Sequence, residues 1–357
     1  MKQAPAVLDV LAIGNAIVDV LAHCNDLLLD RLGLAKGTMS LIDARRAAAI
    51  YSAMGPRIEI SGGSAANTAT GVASLGGRAG FLGKVRDDEM GEIFTHDLRA
   101  TGVAYTTPCA TFGPATAQCL VLITPDAQRT MGTYLGIAGE LSAATVDEEL
   151  VAGALITLVE GYLVGLPSAE AALAAAVKAA HGAGRQVALT LSDPMWVGAR
   201  RDVFSALLAD VDILLANEHE ACELTGKADA DAALAVLARS CPVVAVTRSE
   251  HGALVTNGIE TVAVPAEPVS RVVDTTGAGD LFAAGFLLAV ARELALPDCA
   301  RLGALAAAEV VSHVGARPHV ALAELAKQAC LLESAETSTE SPAPSGYAPN
   351  GSSSAKA

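Results

Sequence analysis

Short, nearly continuous apolar runs recur along the chain. VLDVLAI (7–13), AGFLGKV (79–85), ALITLVE (154–160), RQVALTL (185–191), DVDILLA (210–216) and PVVAVT (242–247) read as strands. Their near-continuous apolar character suits a sheet covered on both faces. Ala- and Leu-rich stretches separate them. SAEAALAAAVKAAHGAG has helix signals at both ends, with Ser168 as N-cap after Pro167 and a stop at Gly182. Alternation of strand and helix predicts βαβ units, hence a three-layer α/β/α domain with a mostly parallel central sheet. Two stretches break the pattern, at about 16–45 and about 104–135. Both hold short β-like runs such as TAQCLVLIT, which would pair into a small β-sheet lid. The folded part is expected to span residues 5–330. Residues 334–357 are rich in Ser, Pro, Ala and Gly and are expected to be disordered.

Composition narrows the function classes. With 357 residues, 52% hydrophobic, the chain is long enough for a sizeable core. A formal net charge of −15 argues against non-specific nucleic-acid binding, which needs clustered Lys and Arg. The seven cysteines are scattered, odd in number and without a CxxC pair, as in a reducing compartment. Asp9, Asn15 and Asp19 interrupt the apolar N-terminus, so no signal-peptide core survives there. The apolar run Leu281–Ala291, at 11 residues, is too short to span a bilayer. These features predict a cytoplasmic protein with no membrane or nucleic-acid partner; monomer and homodimer stay open.

The strongest candidate chemistry lies in VVDTTGAGDLFAAGFLLAVA (272–291). Asp280 is the only charge between Asp274 and Arg292. The helix that follows is apolar nearly all round and so is expected to be buried. Its first turn offers unpaired N–H groups and the positive end of the helix dipole. Gly277, Ala278 and Gly279 would let an anion approach that backbone, an arrangement suited to phosphate. No Walker A loop is present, because Gly83-Lys84 and Gly226-Lys227 lack a following Ser or Thr. The dinucleotide fingerprint fails at Phe282. An acid beside a phosphate site is tolerable if it takes a proton from an attacking hydroxyl. The alternative is a helix cap, but Asp274-Thr275-Thr276 already offers capping groups.

The run Asp274 to Asp280 resembles the signature of the ribokinase-like (PfkB-type) carbohydrate kinases. SGGSAANTATGVASLGG (61–77), GKVRDDEMG (83–91), NEHE (217–220) and TRSEHGA (247–253) resemble further motifs of that family in the same order, with Ser249 where glycine is more usual. GNAIVD (14–19), KGTMSLID (36–43) and PDAQRTMGTYLG (125–136) resemble the adenosine-kinase branch. The resemblance covers roughly residues 7–320.

It implies a ribokinase-like fold and transfer of the γ-phosphoryl group of ATP to a sugar hydroxyl, with the 5′-OH of adenosine or a related purine nucleoside as the first expectation. Asp280 would be the base, with Gly277, Ala278 and Gly279 forming the anion hole. Arg129 would reach the transferring phosphate or hold the closed lid. Asn15 and Asp19, four apart, would face one way on an extended segment and hold sugar hydroxyls. Gly62, Gly63 and Asn67, with a Ser64 cap at the helix start, would complete the sugar site. Met39, Tyr162 and Leu163 would also bind the substrate, the last two where the branch places an aromatic against the purine. Asn217 and Glu220 would order the water shell of Mg²⁺, which takes few protein ligands. Thr247, Ser249, Gly252 and Thr275 would line the nucleotide pocket, with the later helix around His313 and Gly315 as its other wall. A monovalent cation such as K⁺ is left open. The alternatives are a kinase of a free sugar (ribose, fructose or 2-keto-3-deoxygluconate type) and a catalytically silent nucleoside or nucleotide sensor.

Overall fold

In a computed structural model, which describes residues 6–126 and 128–332, each of the six apolar runs contains a strand of one large sheet. Numbered along the chain, the strands are β1 (Leu8–Ile13), β2 (Ile17–His23), β3 (Met39–Leu41), β4 (Arg57–Gly62), β5 (Ala79–Leu82), β6 (Ala104–Tyr105), β7 (Ala117–Ile123) and β8 (Arg129–Tyr134). They continue with β9 (Ala154–Val159), β10 (Gln186–Thr190), β11 (Ile213–Asn217), β12 (Val243–Thr247), β13 (Ala253–Thr256) and β14 (Thr261–Val264). The large sheet runs β14-β13-β12-β11-β10-β9-β1-β5-β6. Its pairings from β12 to β6 are parallel, and β13 and β14 add an antiparallel edge.

Burial on both faces explains the apolar runs. Along β1, Val10 and Ala12 join one core, while Leu8, Leu11 and Ile13 join another. The first core takes the helices Ser64–Ser74, Ala278–Ala291 and Leu296–Val310; the second takes Pro167–Gly182. Every residue of Leu281–Ala289 is buried, as the all-round apolar pattern predicts. No helix among the described residues is long and apolar enough to cross a membrane.

The small sheet runs β3-β8-β7-β2-β4. It takes β4, which the sequence does not mark, and β6 from the 104–135 stretch goes instead to the edge of the large sheet. The helix Ala44–Ala53 covers one face of the small sheet through Ala47 and Ile50. Two helix-end expectations need correction. The helix Pro167–Gly182 has Leu166 as N-cap, and Ser168 Oγ donates to the Gly139 carbonyl instead. The helix Ser64–Ser74 has Gly63 as N-cap with no side-chain cap bond, which frees the Ser64 hydroxyl. Residue 5 and the tail 334–357 lie outside the described residues.

Phe81, Phe94 and Tyr105 pack ring against ring, with centroids 5.6–5.7 Å apart. They seat the helix Glu89–Ala100, whose Asp97 accepts from the Ser61 amide of the small sheet at 3.1 Å. Phe94→Ala leaves a cavity there and is expected to cost about 3–5 kcal/mol. Urea unfolding of the two proteins checks this, and an unchanged midpoint would contradict the packing described.

Candidate active site

The carboxyl ends of the parallel strands converge on Asp280. Asn15 follows β1, Glu160 follows β9, Asn217 ends β11 and Thr247 ends β12. That edge is where open α/β sheets bind ligands. A cavity of about 210 Å³ lies there, lined by Ser64, Tyr162, Asn217, Glu220, Thr247 and Asp280 among others.

Asp280 is held from both sides by one helix. Ser64 Oγ donates to Oδ1 at 2.6 Å and Asn67 Nδ2 donates to Oδ2 at 3.0 Å. Burial pushes the Asp280 carboxyl above its ordinary range, and those two hydrogen bonds pull back. Asp280 caps nothing. The N-cap of its helix is Gly277, at φ +81°, with no side-chain cap bond. A Cβ at Gly277 would meet the Ala316 backbone at 2.7 Å, so the position requires glycine. The space beside Gly279 is open. The Asp274 side chain does not cap the helix either. It accepts from the Thr276 amide and hydroxyl, from the Gly315 amide at 2.8 Å and from Arg129 Nη2 at 2.6 Å.

Arg129 also donates to Thr276 Oγ1 at 3.0 Å. The small sheet is thereby fastened to the signature loop through Asp274, a side chain only 8% exposed. Of the two roles the resemblance implies for Arg129, this geometry matches the holding of the lid.

Asn15, Asp19, Gly62 and Gly63 come together, though Asn15 lies in the turn before β2 and not on one strand with Asp19. A Cβ at Gly62 would lie 2.3 Å from Asp19 Oδ2, and one at Gly63 2.5 Å from the Asn15 carbonyl. Asn15 Nδ2 donates to Glu160 Oε1 at 2.7 Å, while Asn15 Oδ1 is buried without a partner. Asp19 is raised to about 6 by burial, against the pull of Arg317 and Arg129. Asn217 and Glu220 form a reciprocal capping box, and burial raises Glu220 to about 7.

Other expected residues stand apart. Leu163 is fully buried in the second core and cannot touch a ligand in this conformation. Tyr162 does line the cavity, its hydroxyl donating to the Ser192 carbonyl. Met39 sits on the edge strand β3, paired with Met131. Ser249, at φ +50°, and Gly252 form the turn between β12 and β13. Thr275 is exposed and accepts the Ala278 amide on its carbonyl. His313 lies in a turn after the helix that ends at Val310, bonded to Glu309 and stacked on His319.

Two residues escaped the sequence reading. Glu160, buried and raised to about 7, accepts from the Asn15 side chain and from the Asn15 and Ala65 amides. A lone acid closing an apolar strand was its signal. Arg317 donates to Asn67 Oδ1 and to Ser61 Oγ; nothing in its loop announces that.

Comparison with known proteins identifies the family. Residues 58–321 match the pfkB family carbohydrate kinase description. A solved adenosine kinase from Sinorhizobium meliloti is 50% identical, with a TM-score of 0.85 over 91% of this chain and 100% of that one. A probable sugar kinase from Rhizobium etli CFN 42 is 46% identical, with a TM-score of 0.86 over 92% and 100%. The bifunctional protein HldE of Rhodopseudomonas palustris (strain BisA53) is 31% identical over 85% of this chain, which spans 62% of that longer relative.

The buried acids tie stability to pH. Asp19, Glu160 and Glu220 have folded values near 6, 7 and 7, above ordinary values of 3.8, 4.5 and 4.5. The folded chain therefore holds these protons more tightly than the unfolded chain. The stability they contribute is complete below their ordinary values and is lost as pH rises through about 6 to 7. Urea midpoints are expected to fall between about pH 5 and about pH 8, and Glu160→Gln to flatten that fall. A midpoint that climbs over this range in both proteins would contradict the burial of these acids.

Proposed function

The chain belongs to the pfkB family of carbohydrate kinases, phosphotransferases acting on hydroxyl groups, and from that membership we propose that it phosphorylates the 5′-OH of adenosine or a related purine nucleoside with MgATP. One observation carries the reading. Asp280 is a half-buried carboxylate held by two donors, directly beside the uncapped start of a helix. A carboxylate so held keeps lone pairs for an attacking hydroxyl. The first-turn amides of Gly279 and Asp280, with the helix dipole, are suited to charge on the transferring phosphoryl group, while the Ala278 amide is already taken by the Thr275 carbonyl.

MgATP, when bound, supplies that group and a metal to offset its charge. Among the described residues no cluster of three or more His, Cys, Asp or Glu can hold a metal directly. Magnesium keeps most of its waters and takes few protein ligands. Glu220 and Asn217, in the same cavity as Asp280, fit such a role through water. Thr247 lines the same cavity, and Gly252 and His313 would lie on the nucleotide side.

Asn15 and Asp19 would take the sugar. The unpartnered buried Asn15 Oδ1 supports this, because a hydroxyl donor would satisfy it. The Arg129–Asp274 pair would hold the lid shut and exclude water, so that ATP is not hydrolysed instead. Adenosine as acceptor draws its support from the Sinorhizobium meliloti relative. The Rhizobium etli relative, a probable sugar kinase, favours a free sugar as the second reading. The seven free cysteines support a cytoplasmic setting.

ADP release with MgATP over adenosine, guanosine, inosine, ribose, fructose and 2-keto-3-deoxygluconate separates these readings. Turnover is expected on adenosine, and Asp280→Asn is expected to lose about 10²–10⁴-fold in kcat with ATP affinity little changed. Near-normal kcat in that variant would remove Asp280 as base; turnover on a free sugar alone would replace the acceptor.

A further inference from the structure

One guanidinium ties Asn67 to Ser61 on the acceptor side. Arg317 lies in the turn between the helices Leu296–Val310 and Leu322–Gln328. Its Nε donates to Asn67 Oδ1 at 3.3 Å and its Nη1 to Ser61 Oγ at 2.6 Å. Its Nη2 is buried with no partner among the described residues. Asn67 therefore stands between a group that only donates and a carboxylate that, when ionised, only accepts. That leaves the amide one orientation: oxygen toward Arg317, nitrogen toward Asp280, at 3.0 Å. Reversed, the amide would face its oxygen to the carboxylate and its N–H to the guanidinium.

We propose that Arg317 is a positioning residue for phosphoryl transfer: it turns the Asn67 amide so that an N–H faces Asp280, and its charge keeps Asp19 in the form that accepts hydrogen bonds. This rests on the reading of Asp280 as base and Asp19 as sugar ligand. Arg317 Nη1 sits on Ser61, the residue before Gly62, where a Cβ would lie 2.3 Å from Asp19 Oδ2, so its charge acts on Asp19. Arg129 from β8, Asp280 from its helix and Cys119 from β7 are the other charged and titratable groups that interact with it. Burial raises Asp19, Asp280 raises it further, and the two arginines oppose them, Arg317 more strongly than Arg129. Arg129 is already committed to Asp274 and Thr276. Removing Arg317 therefore leaves Asp19 without its stronger counter-charge. The raised value moves further up, and at neutral pH a larger share of Asp19 is neutral.

Two variants separate the two parts of the role. Arg317→Met removes both charge and fork; Arg317→Lys keeps the charge and loses the planar fork. For the full chain, kcat and acceptor KM are measured against pH with the acceptor found by the panel. In parallel, carboxyl-carbon NMR follows the titration of Asp19 in the unliganded chain, its signal assigned by its loss in Asp19→Asn. In Arg317→Met the acid limb and the Asp19 titration are expected to move up by about one unit. Acceptor KM should rise about 2-fold at about pH 7, approach a ~10-fold rise by about pH 5, and recover in alkali. In Arg317→Lys the limb and the titration stay near the parent's, while kcat falls ~10-fold. That fall should be absent when Arg317→Lys is added to Asn67→Ala. Losses that ignore pH in both variants, or an Asp19 titration unmoved by Arg317→Met, would overturn the proposal. If the parent turns over no acceptor, the kinase reading fails while the Asp19 titration still decides the part of Arg317.

Discussion

The hydrogen bonds from Ser64 and Asn67 to Asp280 are the constraint on which the rest of the site depends. A carboxylate taken out of water needs compensating donors, or it protonates and loses its use as a base. Both donors come from the first turn of one helix, and that helix packs directly on the one that carries Asp280. The distance between two helix axes thus sets the state of the acid. Gly63 contributes by starting the helix without a side-chain cap, which releases the Ser64 hydroxyl for Asp280. Gly277 contributes in the same way on the other side, opening the helix against the backbone of Ala316.

Beyond this pair, polar groups from distant parts of the chain form a continuous chain of contacts. It runs from Asp97 through Ser61, Arg317 and Asn67 to Asp280. A second chain runs from Arg129 through Asp274 to the Gly315 amide. Both pass through the turn that holds residues 315–317. The small sheet, the Asp274–Asp280 loop and the helix that carries Asn67 are therefore tied to one short stretch of backbone. Such networks rigidify when fully satisfied, and the unpartnered atoms left over, Asn15 Oδ1 and Arg317 Nη2, mark where it is incomplete.

Most of the large sheet was legible because strands buried on both faces leave a plain record: each of the six apolar runs contains a strand. The small sheet was less so. β4, RIEISG, has a half-exposed and charged face, and its membership in the sheet is set by pairing with β2 and not by its own pattern. The signature acid and the Asn217–Glu220 box were legible because their chemistry is local: glycines, an acid and a capping spacing lie within a few residues of one another. Arg317 was not, because its partners Ser61 and Asn67 are about 250 residues away in sequence and only the fold brings them near. Leu163 shows the opposite error. The family resemblance set it beside Tyr162 at the substrate, yet the 3₁₀ turn Gly161–Leu163 sends one side chain to the cavity and the other into the core.

The pairing of β2 with β7 carries a consequence for how the molecule is made. It sets Ile17 beside Ala117 in parallel register, and between those two points the chain must also lay down β5 of the large sheet. Contacts that span so much chain close slowly, because the loop entropy comes before the reward. On a ribosome, β2 emerges long before its partner exists, with its apolar residues Val18 and Val20 uncovered. Asp19 sits between those two valines. A charge that the folded protein half-buries thus interrupts, in the nascent chain, a strand that would otherwise present an unbroken sticky edge.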